Sequence, residues 1–277
     1  MFKDLVVPLT DTGGDASAVA AAVAIAGWQQ AHLSLLEFAN MPTMPASPWG
    51  SGEIGIGEIY ERFRESAESD AAAWRERLAK QAVTLSSEVR VVDSLAEESP
   101  RLAALHARYA DLAVMTMAAA NERDVAIVRD FFASLLLDSG RPLLLVPPGF
   151  EWRPAKRVVV AWRPRREAAR ALHDAMPFLR AAETVDVMEV EEGGDGALQG
   201  ADIAAHLARH GLNVNVFVRP WHEESVALTL VRHAQDHGAE LLVAGGYGHS
   251  RLREWVMGGV TRDLLSGDCP IPVFFSH

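Results

Sequence analysis

The chain is 277 residues long and 49% apolar, with a formal net charge of −11, a pI of about 5.4 and a single cysteine, Cys269. That length and apolar content suffice for one large domain or two ordinary ones, while the acidity argues against nucleic acid, whose phosphates are held by clustered Lys and Arg. A lone cysteine forbids an internal disulfide and no stretch approaches the roughly 18 apolar residues of a membrane span, so the sequence reads as a soluble, cytoplasmic protein.

Short β-branched runs alternate with longer helical patterns, the signature of parallel strands joined by crossover helices. The pattern predicts strand DLVVPL (Asp4 to Leu9), an Ala-rich helix over 15–30, strand HLSLLEF (His32 to Phe38) and a helix over 58–81. Strand SEVRVV (Ser87 to Val92), a helix over 100–109, strand DLAVMTM (Asp111 to Met117), a helix over 124–137 and strand PLLLVP (Pro142 to Pro147) complete a first series. Residues 39–57 read as a long connection, a flap or partner-contact loop.

The prolines and glycine of PPGFEWRP mark a boundary near Pro147 to Pro154, dividing the chain into domains 1–148 and 155–277. The second series runs RVVVAW (Arg157 to Trp162), a helix over 166–179, VDVMEV (Val185 to Val190), a helix over 202–210 and NVNVFV (Asn213 to Val218). A helix over 223–237, ELLVAG (Glu240 to Gly245), a helix from about Thr261 and PVFF (Pro272 to Phe275) close it. Leu112 to Leu143 and Leu241 to Pro272 are both separated by 31 residues, so the two series align as a repeat with an offset of 129.

Under that offset Gly245, Gly248, Gly258 and Gly259 fall opposite Thr116, Ala119, Arg129 and Asp130. The first half therefore joins its strand and helix without these glycines, which points to another reason for them in the second. A glycine turn after a strand leaves backbone N–H groups open to an anion, and a glycine pair before a helix exposes that helix's positive end. The segment lacks the Lys-Ser/Thr ending of a P-loop, and no G-x-G-x-x-G follows the first strand of either half.

The pattern G-x2-G-x9-G followed by G-V-T, over Gly245, Gly248, Gly258, Gly259, Val260 and Thr261, resembles the nucleotide-loop signature of the universal stress protein family. VVVAW with REAARAL, the whole run from Ala239 to Leu265, and PIPVFF resemble its bacterial branch; the likeness is strong over 156–277 and weaker over 1–148. It implies an α/β fold with two tandem five-stranded parallel sheets in the order 3-2-1-4-5, helices on both faces, and a ligand near Trp162 and Gly245. It further implies ATP or another adenine nucleotide in the second domain, with magnesium accompanying it. Phosphates would lie on the six signature residues, Ala161 and Val190 would flank the base, and Arg163, Ala244 and His249 adjoin the site.

Two positions depart from the family pattern: Gly259 replaces a hydroxyl residue, and Arg163 replaces an Asp with the opposite charge. Arg163, with Arg165 and Arg166, could reach an anion, or Arg163 could fill the base pocket. Thr10 stands at the matching place of the first domain, where no nucleotide is expected. Members of the family pair through their last strands, so PLLLVP and PVFF could join the two halves as a pseudo-dimer or join two chains.

The pairs His206/His210 and His233/His237 have metal-compatible spacing, but without a third ligand they read as helical surface. Most of the scattered tryptophans read as core or domain-interface packing. No set of nucleophile, base and orienting group can be assembled. The expectation is thus a stress-response protein that acts by binding, with a nucleotide-free scaffold and a slow nucleotide hydrolase recruiting Asp11 or Asp195 as alternatives.

Overall fold

The computed structural model describes residues 1–41, 54–82, 84–95, 97–117, 121–191, 199–220, 225–246, 263–265 and 269–277. The first half is built from β1 (Asp4–Pro8), α1 (Asp15–Gln29), β2 (His32–Met41), α2 (Ile54–Gln81), β3 (Ser87–Leu95), α3 (Ser99–Ala107), β4 (Leu112–Thr116), α4 (Glu122–Asp138) and β5 (Leu143–Val146). Every residue of β4 and β5 is buried, as expected of central parallel strands covered on both faces. In α1 the buried positions include Ala18, Ala21, Ala22 and Ala26, whose small side chains let the helix lie close to the sheet. Asn121 caps α4 by accepting from the Asp124 amide at 2.8 Å.

The second half comprises β6 (Arg157–Trp162), α5 (Arg166–Asp174), α6 (Met176–Leu179), β7 (Thr184–Glu191), α7 (Gln199–Arg209), β8 (Val214–Pro220), α8 (Val226–Asp236), β9 (Leu241–Gly245) and β10 (Val273–Ser276). The helix anticipated over 166–179 is broken into α5 and α6. Pro177 has no N–H to give the carbonyl of His173, so the ladder cannot run through. The connection anticipated over 39–57 is shorter, because β2 extends to Met41 and α2 begins at Ile54.

Each half has the expected strand order, β3-β2-β1-β4-β5 and β8-β7-β6-β9-β10, with parallel neighbours throughout. The halves do not form two separate sheets, however. β5 and β10 pair antiparallel, Phe274 opposite Leu144, and merge them into one ten-stranded sheet. Two open edges that would each expose unpaired backbone groups thereby satisfy one another within the chain. One core lies beneath α1, α2, α5, α6 and α7, and the other beneath α3, α4 and α8.

The seam is aromatic. Phe178 of α6 lies 5.2 Å from Phe2, 5.3 Å from Trp152, 5.8 Å from Phe274 and 6.0 Å from Trp28, with which it stacks. On the opposite face Phe132 of α4 meets Phe275 edge-on at 5.2 Å. The reading of Trp28 and Trp152 as interface packing is borne out by these contacts.

His233 is not helical surface. It is 4% exposed and sits over the fully buried Asp186, which takes two hydrogen bonds from Arg157 and one from Asn215. His237 stacks on it at 4.0 Å. Burial first, then His237, pushes the His233 pKa down, which favours the neutral ring. Among the described residues no three His, Cys, Asp or Glu side chains converge to hold a metal, and no helix is long and apolar enough to cross a membrane.

Candidate functional site

In the second half the chain leaves β6 for α5 on one face of the sheet, whereas β9 is entered from α8 on the other. Such a reversal opens a crevice beyond the carboxyl ends of the two strands. Ala161, Val190 and Ala244 come together there on three adjacent strands and on one face. Ala161 pairs opposite Met188, and the register of Val160 with Val243 carries it beside Ala244. Val190 and Ala244 are buried and Ala161 is half-buried, giving the crevice an apolar floor.

Arg163 follows directly after β6 and is half-buried; its carbonyl accepts from the Arg165 amide at 2.7 Å, turning the chain into α5. Arg165, the N-cap of α5, makes no side-chain capping hydrogen bond, and the Glu167 carboxylate takes its own first-turn amide at the positive end of the helix dipole. Arg166 donates to Glu167 at 2.8 Å. Burial works to raise the Glu167 pKa, but the hydrogen bond and charge of Arg166 outweigh it and hold the carboxyl below its usual value. Trp162, the last residue of β6, has its indole N–H buried with no hydrogen-bond partner among the described residues. Native indoles rarely forgo a partner.

Gly245 and Gly246 have a steric role that the linear comparison of the halves misses. A Cβ on Gly245 would lie 2.6 Å from the carbonyl carbon of Glu167 and 2.7 Å from the amide nitrogen of Ala168, against the backbone of α5. A Cβ on Gly246 would lie 2.4 Å from the Leu136 side chain of the first half. In the first half the same close approach is made with the residues exchanged. Gly14, at the start of α1, would place a Cβ 2.0 Å from the Thr116 hydroxyl, and Thr116 is the counterpart of Gly245. The first half has therefore kept a glycine at this contact, on the helix instead of the strand. Gly248, His249, Gly258, Gly259, Val260 and Thr261 lie outside the described residues.

No family model and no curated protein sequence matches the chain. Among solved structures it is similar to a universal stress protein from Archaeoglobus fulgidus DSM 4304, with a TM-score of 0.71 and 15% identity over 99% of this chain and 95% of that one. It is also similar to a protein of unknown function from Pseudomonas aeruginosa PAO1, with a TM-score of 0.59 and 16% identity over 99% and 92% of the two chains. The fold is that of a tandem universal stress protein.

In that tandem fold the first half carries carboxylates about the end of β1, the strand that corresponds to β6. Thr10, the counterpart of Arg163, donates its amide and hydroxyl to Asp15 at 2.9 and 2.7 Å. Burial raises the Asp15 pKa to about 6 against those hydrogen bonds. Glu37 on β2 is pushed up to about 7 by burial, then by Asp70, Asp15 and Asp11. The sequence offered Thr10 as a marker of a degenerate site. It did not reveal the acids, because Asp70 comes from α2 and meets Glu37 only in the folded sheet.

Glu37 makes stability depend on pH in a defined direction. Its folded pKa lies above the ordinary value of 4.5, so its contribution is fully present below pH 4.5 and is lost as the pH rises through about 7. Glu37→Gln is expected to remove about 1–2 kcal/mol of that decline, discounted for partial exposure. Urea midpoints of wild type and variant between pH 4.5 and 7.5 check this, and parallel profiles would contradict it.

Proposed function

We propose that the chain is a stress-response protein that binds ATP or another adenine nucleotide, accompanied by magnesium, in the crevice of its second half. The observation that carries this reading is one of place. The G-x2-G-x9-G segment leaves β9 at the point where β6 and β9 reverse the winding of the sheet. Ala161, Val190 and Ala244 supply an apolar floor suited to a base. Arg163, Arg165 and the positive end of the α5 dipole suit phosphates, together with Gly248, Gly258, Gly259, Val260, Thr261 and His249 of the segment.

The acids of the first half oppose a phosphate there, so one nucleotide per chain is the expected stoichiometry. The protein acts in the cytoplasm, through binding and interaction and without turnover. Its last strands pair with each other inside one chain, so the pseudo-dimer needs no second copy to cover these edges.

Calorimetric titration with ATP, with and without magnesium, tests the reading. Wild type should saturate near one site per chain, and Gly258→Val should bind at least about tenfold more weakly with an unchanged melting temperature. An absence of binding to nucleotide-stripped wild type would favour the nucleotide-free scaffold instead.

A further inference from the structure

A groove of 520 Å³ runs along the seam between the halves, between the amino-terminal ends of β4 and β5 and the helices α5, α6 and α7. None of Ala161, Arg163, Val190, Ala244 or Gly245 lines it. It opens on the α5–α7 side of the sheet, whereas the apolar floor of the nucleotide crevice belongs to the α8 side.

Three arginines, Arg141, Arg170 and Arg180, line this groove against two aspartates, Asp111 and Asp174. Asp174 is already ion-paired, while Asp111 is held by backbone amides and keeps its charge. Asp174 accepts from Arg170 at 2.8 Å and from the Ser276 hydroxyl at 2.7 Å. Asp111 accepts from the Lys3 and Asp4 amides at 2.6 and 3.2 Å, holding the start of β1. Arg141 donates to a carbonyl, that of Arg108, which leaves its charge uncompensated. The Arg180 guanidinium has no hydrogen-bond or ion-pair partner among the described residues. His173, His206 and His210 line the same groove and add charge when protonated.

On a chain of net charge −11, a pocket lined by three arginines from both halves against two aspartates is a local reversal of the field. The volume is that of a small-molecule site, and Pro142, Met176 and Pro177 give it an apolar wall. We infer that this groove binds a small organic phosphate, its phosphoryl group held between Arg141 of the first half and Arg180 of the second and its organic part against the apolar wall. Planar guanidinium forks match phosphoryl oxygens in pairs, and a ligand held from both sides would tie the halves together.

Phenyl phosphate is the probe, with benzyl alcohol as the uncharged control. Calorimetry on the full chain should show one saturable site for phenyl phosphate and none for the alcohol. The Arg141→Gln/Arg180→Gln double variant should weaken it at least about tenfold, as for losing a paired phosphate contact. Both side chains are exposed, and an unchanged melting temperature establishes that the variant folds. Gly258→Val, which tests the nucleotide crevice, should leave phenyl phosphate binding intact, so the two sites fail independently. Three results would each overturn the inference: no saturation by about 10 mM, equal affinity in the double variant, or loss of binding in Gly258→Val.

Discussion

Phe178→Ala is expected to destabilise the protein by about 3–5 kcal/mol, the range for emptying a fully buried aromatic site. Phe178 is 2% exposed and reaches Phe2 and Trp28 of the first half, Trp152 of the connecting segment and Phe274 of β10. These four rings come from distant parts of the chain, so the cavity left by alanine cannot be closed by shifting one element. Its effect should also fall on the coupling between halves, because only three facing residue pairs join β5 to β10. Urea unfolding followed by tryptophan fluorescence reads both, since Trp28 and Trp152 report from the seam itself. Wild type should unfold in one transition, and the variant should show an earlier and broader one. The control is Phe63→Ala, at an exposed position on α2, expected to cost less than about 0.5 kcal/mol. Equal effects at the two sites would refute the seam as the coupling element.

The topology was legible because parallel strands buried on both faces spell themselves out as apolar runs, and LAVMT and LLLV are buried throughout. The equal spacing of the last strands announced the repeat, and their position at each sheet edge announced that they could pair. What the sequence hid were contacts between residues far apart in it. His233 looked like helical surface because the pattern of α8 does not show Asp186 and Arg157 waiting beneath it on β7 and β6. Nothing in strand HLSLLEF marks Glu37, because its neighbour Asp70 comes from α2. Pro177 breaks the helix expected over 166–179, a signal present in the sequence itself. For the candidate site, the strand-end residues Ala161, Val190 and Ala244 came from the resemblance to the universal stress protein family. The hydrogen bond from Arg166 to Glu167 at the start of α5 needed side-chain geometry.

The glycines at the strand ends show the same limit and allow a sharper test. If Gly245 serves packing, Gly245→Ala should cost about 1–3 kcal/mol or more, since the added methyl meets helix backbone that cannot rotate away. Gly14→Ala should be comparably harmful, but its obstacle is the Thr116 side chain, which can be removed. Thr116→Gly introduced beside Gly14→Ala should therefore recover much of the loss, producing a coupling energy of about 1–2 kcal/mol in a double-mutant cycle. The first half would then carry a side chain on the helix and its glycine on the strand, as the second half already does with Glu167 and Gly245. Additive losses would mean that the approach of helix to strand is set elsewhere. Chemical denaturation of the four proteins decides between these outcomes. If the cycle shows coupling and Gly245→Ala lowers stability, the conformational demand on Gly245 is explained by packing without any phosphate. The case for nucleotide then rests on Gly248, Gly258 and Gly259, where the ATP titration with Gly258→Val already aims.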